Sequence, residues 1–296
     1  MKNLKIFIIV LHYGDICLTL KCLQSLQKIN KQSLEVKTMV ISNTLVNQSK
    51  KEKLEGLCDI FIQNKKNLGF AGGNNIGIKK ALRKNADYVL LLNNDTIAYK
   101  DLLLYLTKAA EEYLDVGIVG PVIKHKVKNR MLYDYGGVVN WKLGKPYHKN
   151  SVRVRPWRPP GSDPEKGLIE RDFVSGCCML VKRAVFEKVG FLNERYFLYL
   201  EDVEFCTRAK RAGFIILLNP KPVIFHHGSG TSRSEIKKIF YSFRNALRFI
   251  RSFVPLEYKP LAFLYNFLFY PAIFIKWKLS RATSKRFVLG ILQGRP

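Results

Sequence analysis

Two short segments of this sequence carry residue types suited to binding a nucleotide diphosphate. Residues 67–77 read Asn-Leu-Gly-Phe-Ala-Gly-Gly-Asn-Asn-Ile-Gly, and the apolar run Tyr88–Leu92 ends in the polar triplet Asn93-Asn94-Asp95. Backbone amides at a helix start bind phosphate oxygens, and a carboxylate at a strand end binds the accompanying divalent cation. Taken alone, each segment is better explained as a tight turn that uses glycine for its conformational freedom. Together, and with residues further along the chain, they favour phosphate binding.

Three polar groups lie in apolar surroundings downstream. Glu201 and Asp202 follow the run Tyr196–Leu200, and His226 ends another apolar run. An acidic pair also suits an ordinary helix start, where it complements the helix dipole. A histidine after a strand also occurs in ordinary loops. If these side chains meet Asp95, they could supply a metal-ligand set and one general base.

Apolar runs alternate with helical patterns in the first third of the chain. The predicted strands and helices, in turn, are Ile6–Leu11, Asp15–Ile29, Val36–Ser42, Lys50–Leu57, Ile60–Gln63, Gly72–Lys84 and Tyr88–Leu92. This alternation predicts an α/β fold with a mostly parallel central sheet flanked by helices. Ligands of such sheets bind at the carboxyl ends of the strands. The polar residues that follow these strands, 12–13, 42–43, 64–67 and 93–95, are therefore expected to meet at one edge.

The pattern is less regular in the rest of the chain. Further predicted elements are a helix at Asp101–Tyr113, a strand at Val116–Pro121, a strand at Asp172–Lys182, helices at Arg183–Val189 and Glu201–Ala212, strands at Phe214–Leu218 and Val223–His226, and a helix at Ser234–Phe253. Residues 124–166 are rich in Gly, Pro, Tyr, Trp and Arg and are predicted to be irregular. A loop of that length is usually functional or disordered.

Composition points to an anionic partner. The chain has 296 residues, is 47% hydrophobic and carries a net charge of +27. Such an excess suits nucleic acid, anionic lipid or a phosphorylated substrate. Zinc-finger spacing and an RNP-like aromatic motif are absent from the sequence, and the basic residues are spread along it, so nucleic acid is not the expected partner. A salt-titrated DNA or RNA binding assay tests that expectation.

Cysteine usage and the apolar runs bear on location. The six cysteines contain no Cys-x-x-Cys pair, which favours reduced thiols in a cytoplasmic protein. The run Ile6–Leu11 is too short for the hydrophobic region of a signal peptide and is predicted to be a first strand.

The run Leu261–Ile275 is interrupted by Asn266 and Pro271 and followed by basic residues. It suits an interfacial helix at an anionic membrane surface, which predicts a peripheral protein at the cytoplasmic face.

The chain resembles family 2 glycosyltransferases of the GT-A fold, in particular the rhamnosyltransferase-like members. Residues 67–77 are close to that family's consensus, and Leu90–Asp95 resembles its DxD-type strand end. Tyr199–Glu204 resembles its Glu-Asp motif, whose aspartate serves as base. His226 with Gly228 resembles its later histidine segment. The resemblance extends from residue 6 to about residue 245.

The resemblance implies an inverting transfer of a sugar, with rhamnose as one candidate, from a nucleotide-diphospho-sugar to a polysaccharide or lipid-linked glycan. It implies Asp202 as general base with Glu201 beside it, and Asp95 and His226 as ligands of a Mg or Mn ion. The implied donor-binding residues are His12, Tyr13, Ser42, Asn43, Asn67, Phe70, Ala71, Asn74, Asn75, Asn93 and Asn94.

The same resemblance implies a domain plan. Residues 1–253 form the GT-A domain, with a nucleotide-binding half at about 1–121 and an acceptor and catalytic half at about 122–253. Residues 254–296 form a helical, membrane-associated tail.

Three departures from the family pattern leave an alternative open. The first strand ends His12-Tyr13-Gly14 where the family usually has Asn-Tyr-Asn, and the second ends Ser42-Asn43-Thr44 where it usually has Asp-Asn-x-Ser. Asn93 stands where many members have the first Asp. The alternative is a catalytically degenerate member that binds nucleotide or glycan without turnover. The retained Asp95 and Asp202 favour the enzyme.

Overall fold

The computed structural model describes residues 3–127, 130–149, 167–228 and 235–292, with the side chains of the last helix described to residue 279. Contacts within the chain group it into two units. The first comprises residues 1–139 and 146–231, and the second comprises residues 140–145 and 232–296. The boundary predicted after residue 253 falls inside the second unit, and the division of residues 1–253 into two halves stays a prediction.

Strands and helices alternate through the first unit and its junctions with the second. In chain order they are β1 (Leu4–His12), α1 (Ile16–Gln27), β2 (Leu34–Ser42), α2 (Gln48–Glu55), β3 (Ile60–Gln63), α3 (Gly69–Arg83), β4 (Tyr88–Asn93), β5 (Thr96–Ile97), α4 (Leu102–Glu111), β6 (Val116–Val127), β7 (Arg130–Asp134), β8 (Gly137–Asn140), β9 (Lys145–His148), β10 (Ile169–Glu170), β11 (Cys178–Lys182), α5 (Arg183–Val189), α6 (Glu201–Arg211) and β12 (Ile215–His226). The second unit contains α7 (Glu235–Phe253) and α8 (Lys259–Leu292).

The central sheet has the order β10-β12-β6-β11-β4-β1-β2-β3. Its pairs β4–β1, β1–β2, β2–β3 and β6–β12 are parallel, whereas β11 runs antiparallel to both of its neighbours. The predicted α/β class with a mostly parallel sheet and flanking helices is confirmed. The register places His12 opposite Ser42, Ser42 opposite Gln63 and Leu11 opposite Asn93. The strand ends therefore meet at one edge.

The core is built around β1. Residues Ile6–Val10 are all at most 1% exposed, so both faces of this strand are covered. A strand buried on both faces needs a continuous apolar run rather than alternation, and the sequence supplies one. Fully burying each such side chain contributes about 1.5–3 kcal/mol. The sheet edge that carries the polar residues is thus anchored by a rigid interior.

The prediction of irregular structure across residues 124–166 is wrong for its described part. β6 extends to Val127, β7 adds to the sheet by pairing with β6, and β8 and β9 form a small sheet of their own. These strands are short and contain Gly and Tyr, so their residues show little alternation. Their pairing partners define them instead. Residues 150–166 lie outside the described part of the chain.

The second unit is held together by its own contacts. Trp141 stacks on Phe249 with ring centroids 6.0 Å apart, and Asn266 Nδ2 donates to the carbonyl of Leu143 at 2.9 Å. These contacts explain why residues 140–145 group with α7 and α8. The predicted C-terminal helix is confirmed. Among the described residues, none of the helices combines the length and apolar character needed to cross a bilayer.

Candidate active site

Asn43, directly after β2, braces the glycine motif. Its Nδ2 donates to the carbonyl of Gly69 at 2.8 Å, and its Oδ1 accepts from Asn64 Nδ2 at 2.9 Å. The side chain is only 5% exposed. It therefore holds the ends of β2 and β3 against the start of α3, and its predicted contact with the donor stays a prediction.

The end of β1 carries a buried polar cluster. His12 Nδ1 lies 2.7 Å from Thr19 Oγ1, and Asn94 Nδ2 donates to the same hydroxyl at 2.8 Å. Burial lowers the pKa of His12 to about 4, so the imidazole is neutral at pH 7. Ser42 Oγ donates to the carbonyl of Thr44 at 2.6 Å. These side chains fix the edge, whereas Tyr13 is 36% exposed and open to a ligand.

The glycine motif lies mostly inside α3, which begins at Gly69 rather than at the predicted Gly72. Gly69 has φ +74°, and its N–H donates to Asn67 Oδ1 at 2.8 Å. Gly73 and Gly77 are helical and serve close packing instead. A Cβ on Gly73 would lie 2.4 Å from Leu11 Cδ1, and one on Gly77 would lie 2.8 Å from the side chain of Ile9. The helix can therefore approach β1 closely.

The two asparagines of the motif have different surroundings. Asn75 Nδ2 donates to the carbonyl of Leu192 and to Glu194 Oε1, both at 2.9 Å, and its Oδ1 accepts from Leu192 N. This amide holds residues 192–194, which precede α6. A nucleotide-sugar that contacted Asn75 would have to share the amide with these residues. Asn74 Nδ2 donates to Phe70 O, but its buried Oδ1 has no partner among the described residues. Asn74 is thus the better placed of the two for a ligand.

A strained segment connects the glycine motif to α6. Phe197, Tyr199 and Leu200 all have positive φ, at 28°, 68° and 68°. The amide of Phe70 donates to the carbonyl of Phe197 at 2.6 Å. Such backbone conformations each cost on the order of 1–3 kcal/mol and cluster at functional sites. The segment sets the direction in which Glu201 and Asp202 enter the helix.

Replacing Gly69 by alanine is expected to destabilise the fold more than the same change at Gly213. Both glycines have positive φ, so each alanine costs about 1–2 kcal/mol of backbone strain. A Cβ on Gly69 would also lie 2.4 Å from the carbonyl oxygen of Phe197, whereas one on Gly213 would meet nothing within 4 Å. We expect this clash to add about 1–3 kcal/mol. Urea unfolding of both variants measures the difference, and equal free energies of unfolding would contradict it.

Asp202 is joined to the end of β4 through one turn. Its Oδ2 accepts from the amide of Gly176 at 2.9 Å, and the next residue, Cys177, accepts from the amide of Asn93 at 2.9 Å. A Cβ on Gly176 would lie 3.1 Å from Phe70 Cζ. The turn therefore gathers the candidate base, the triplet after β4 and the glycine motif.

Glu201 differs sharply from its neighbour. It is 6% exposed, and its Oε2 has no hydrogen-bond partner within the described ranges. Burial, and secondarily the charge of Asp202, raises the pKa of the Glu201 carboxyl well above its usual value. The environment of Glu201 thus favours its neutral form, in which the carboxyl can donate a hydrogen bond.

Asp95 and His226 are brought together by strand pairing. β5 pairs antiparallel with β12 so that Thr96 lies opposite His226, and Asp95 Oδ1 lies 3.1 Å from His226 Nε2. The amide of His227 donates to the carbonyl of Asp95 at 2.9 Å. The described residues contain no group of three metal-ligating side chains. The pair fits a divalent cation that takes its remaining ligands from phosphate and water, and the imidazole nitrogen suits Mn better than Mg.

Three further titratable residues near this region escaped the sequence analysis. His125 lies opposite His226 in the β6–β12 pair, and burial followed by the charge of His226 lowers its pKa. His148 Nδ1 lies 2.8 Å from Asp134 Oδ2. All three sit in or beside the segment predicted to be irregular, where neither spacing nor periodicity connects them. The pairing of β6 with β7 and β12 places His125 and Asp134, and backbone hydrogen bonds between residues 135–136 and Lys149 bring in His148.

Comparison with known proteins shows the family to which the chain belongs. A sequence profile described as "Glycosyltransferase like family 2" matches residues 3–252. The chain belongs to this family. The structural comparisons below agree, and the fold is that of GT-A glycosyltransferases.

Curated relatives within this family include sugar transferases of several organisms. The chain is 34% identical over 176 residues to the low-salt glycan biosynthesis hexosyltransferase Agl10 of Haloferax volcanii, covering 56% of this chain and 52% of that protein. It is 29% identical over 147 residues to N-acetylglucosaminyl-diphospho-decaprenol L-rhamnosyltransferase of Mycobacterium tuberculosis, covering 48% and 47%. It thus spans about half the length of these relatives. The match to dTDP-rhamnosyl transferase RfbF of Shigella flexneri is 24% identical and covers 99% and 96%.

Solved structures share the fold at low identity. GalNAc-T7, crystallised with UDP, GalNAc and Mn²⁺, matches with a TM-score of 0.61 and 16% identity over 78% of this chain and 44% of that one. TarS of S. aureus matches with a TM-score of 0.53 and 17% identity, covering 86% and 41%.

Proposed function

We propose that this chain is an inverting glycosyltransferase that moves a sugar from a nucleotide-diphospho-sugar to a glycan or lipid-linked glycan acceptor. The observation that carries the proposal is the turn at residues 175–177, which joins Asp202 to the end of β4 in a chain of this family. The relatives' names support rhamnose as the candidate sugar and a polyprenyl-diphosphate-linked sugar as the candidate acceptor.

Asp95 and His226 would hold a divalent cation. When bound, such an ion offsets the negative charge that develops on the departing nucleotide diphosphate. The start of α3 would contribute its helix dipole, since the amides of Gly69 and Phe70 are already bonded to Asn67 and to the carbonyl of Phe197. Asn74, in the second turn of α3, has an Oδ1 without a partner among the described residues.

Asp202 takes the proton of the acceptor hydroxyl. As that oxygen forms a bond to the anomeric carbon, the bond from the carbon to the diphosphate oxygen breaks, and the carbon is inverted in one displacement. The amides of Gly176 and Val203 donate to the two carboxylate oxygens at 2.9 and 2.8 Å. They hold the carboxylate in one orientation, which general-base catalysis requires.

A degenerate, non-catalytic member remains the second candidate. The departures from the family pattern at His12, Ser42 and Asn93 motivate it. His12 and Ser42 are buried and bonded within the protein, so both have structural partners in this chain. Asp95 and Asp202 are both retained.

A donor panel separates the two candidates. UDP-, dTDP- and GDP-sugars, each with and without manganese, are scored for nucleotide-induced thermal shift, donor hydrolysis and transfer to monosaccharide glycosides and a short-chain N-acetylglucosaminyl-diphospho-lipid. Manganese-dependent stabilisation with turnover supports the enzyme. Stabilisation without turnover for any donor supports the binding module, and no response to any nucleotide contradicts both.

We also propose that α8 binds an anionic membrane surface. Five exposed apolar residues of α8 recur at spacings of three, four or seven and so share one side of the helix. They are Leu261, Leu264, Leu268, Ile275 and Leu279, each 48–65% exposed. Lys276 and Lys278 are exposed nearby. Apolar side chains beside cations are what an interfacial helix needs.

Two paired substitutions test this surface. Leu264→Ser with Leu268→Ser is expected to weaken co-sedimentation with anionic liposomes at least tenfold, because it removes apolar area. Lys276→Gln with Lys278→Gln should weaken it about thirtyfold at low salt and little at high salt, since each cation contributes about 1 kcal/mol. Leu114→Ser is the control, because Leu114 is 95% exposed but lies in the first unit. Wild-type binding by both pairs would remove α8 as the anchor.

A further inference from the structure

Asp134 and His148 form a fixed pair outside the residues assigned so far. His148 Nδ1 lies 2.8 Å from Asp134 Oδ2, and Asp134 Oδ1 accepts from the amide of Gly136 at 2.9 Å. Asp134 is 9% exposed. Both carboxylate oxygens are therefore engaged, and the carboxylate fixes Nδ1 as the protonated nitrogen of the imidazole.

The imidazole is held in one plane as well. The buried ring of Phe173 meets it edge-on, with centroids 5.0 Å apart and an interplanar angle of 86°. The neighbouring backbone is also secured, because Lys149 and the segment 135–136 exchange hydrogen bonds of 2.8 and 2.9 Å. The His148 side chain is nevertheless 46% exposed. Its Nε2 has no hydrogen-bond partner in the described part of the chain, so a rigidly held ring presents one polar atom to a ligand.

A short segment links this pair to the candidate base, because Phe173, which packs on His148, lies three residues before Gly176, whose amide donates to Asp202 at 2.9 Å. Burial opposes charging of His148, but the hydrogen bond and charge of Asp134, together with the charge of Asp202, raise its pKa above the usual value. The charge of His148 is in turn one of the smaller causes that lower the pKa of His125, after burial and the charge of His226. Asp202 is thus close enough to be felt electrostatically by His148.

We infer that His148, positioned by Asp134, binds the acceptor sugar through Nε2 beside the hydroxyl that Asp202 deprotonates. The inference rests on the proposed function. The acceptor is the ligand in question because β9 lies outside the main sheet, whereas the donor-binding residues are expected at the ends of β1, β2 and β4. A base must face the acceptor hydroxyl, and residues 173–176 join His148 to that base, so its Nε2 is placed to meet the acceptor.

Two amide substitutions of His148 distinguish a direct contact with the acceptor from a purely structural role. Asparagine places its amide nitrogen near the position of Nδ1 and can keep the bond to Asp134, whereas glutamine places its amide near the position of Nε2. With the acceptor that gives transfer in the donor panel, His148→Asn is expected to raise the acceptor KM about tenfold or more, the scale of one lost hydrogen bond. His148→Gln should restore much of that loss. The donor KM and the nucleotide-induced thermal shift should stay at wild-type values in both variants.

Further variants separate failure of this inference from failure of the proposed function. Tyr147→Phe changes the adjacent residue of β9, whose side chain points to the opposite face, and should match wild type. Asp134→Asn should raise the acceptor KM with the donor KM unchanged. If His148→Asn behaves as wild type, the pair is only structural and the inference is overturned while the proposed function stands. If wild type transfers to none of the acceptors, the proposed function fails, and this inference fails with it.

Discussion

Replacing Asp202 by asparagine is expected to leave donor binding intact and to lower the rate of sugar transfer by about a hundredfold or more. This is the scale of a positioned general base, and asparagine cannot accept the proton. Its side-chain oxygen can still accept from Gly176, which donates to Asp202 at 2.9 Å, so the turn at 175–177 should survive. Steady-state transfer rates and the nucleotide-induced thermal shift measure the two effects separately.

Glu201→Gln is the matched control. Because burial raises the pKa of Glu201 and so favours its neutral form, glutamine is a close substitute, and the transfer rate should fall far less than in the Asp202 variant. Normal transfer by Asp202→Asn with strong loss in Glu201→Gln would exchange their roles. Normal transfer by both would leave the acidic pair as an ordinary helix start.

The second large effect is expected at Asp95. Asp95→Ala should abolish manganese-dependent nucleotide binding and leave the fold intact, because it removes the only carboxylate of the Asp95–His226 pair. His226→Ala should weaken manganese dependence to a smaller degree, since an imidazole contributes no charge to the site. Titration of manganese with the preferred nucleotide, followed by thermal shift, gives both affinities.

Asp115→Ala serves as the control for the metal experiment. Asp115 is exposed and precedes β6, at the opposite edge of the sheet from Asp95. It should bind manganese and nucleotide as wild type does. Unchanged manganese dependence in Asp95→Ala would overturn the assignment. If Asp95→Ala has the expected effect but His226→Ala has none, His227 becomes the second ligand to test.

The strands and helices with local signals could be predicted from the sequence. Ile60–Gln63 and Arg183–Val189 form a strand and a helix with the predicted bounds. β1, β2 and β4 are longer than predicted by one to three residues at their ends, where apolar runs give way to polar residues. The meeting of the strand ends followed from parallel pairing alone.

The region of β7, β8 and β9 could not be predicted, because its order depends on partners distant in sequence. Asp134 lies opposite Ile123 in the β6–β7 pair, and His148 meets Asp134 only because residues 135–136 and 149 exchange backbone hydrogen bonds. Similarly, the Asp172–Lys182 prediction holds only from Cys178, since the preceding residues form the turn that binds Asp202. A sequence pattern shows which residues are apolar, but not which distant backbone they will pair with.

Asn75 shows at a single residue that a sequence pattern does not reveal distant bonding partners. Its type and place in the motif predicted a contact with the donor, yet its amide is bonded to Leu192 and Glu194. Nothing near Asn75 in the sequence indicates those partners, which are more than a hundred residues away. Residue type limits what a side chain can bind, and the fold decides what it meets.

The strained run before α6 bears on how this protein can change over generations. Phe197 receives the hydrogen bond of Phe70 in the glycine motif, and Leu200 turns the chain into the helix that carries Asp202. A mutation that shifts one end of this run moves the other, so under the proposed function selection for a new donor sugar acts on the acceptor side as well. Lineages that change their donor are therefore expected to acquire compensating substitutions at residues 196–200, and positions with positive φ will accept glycine or asparagine more readily than valine or isoleucine.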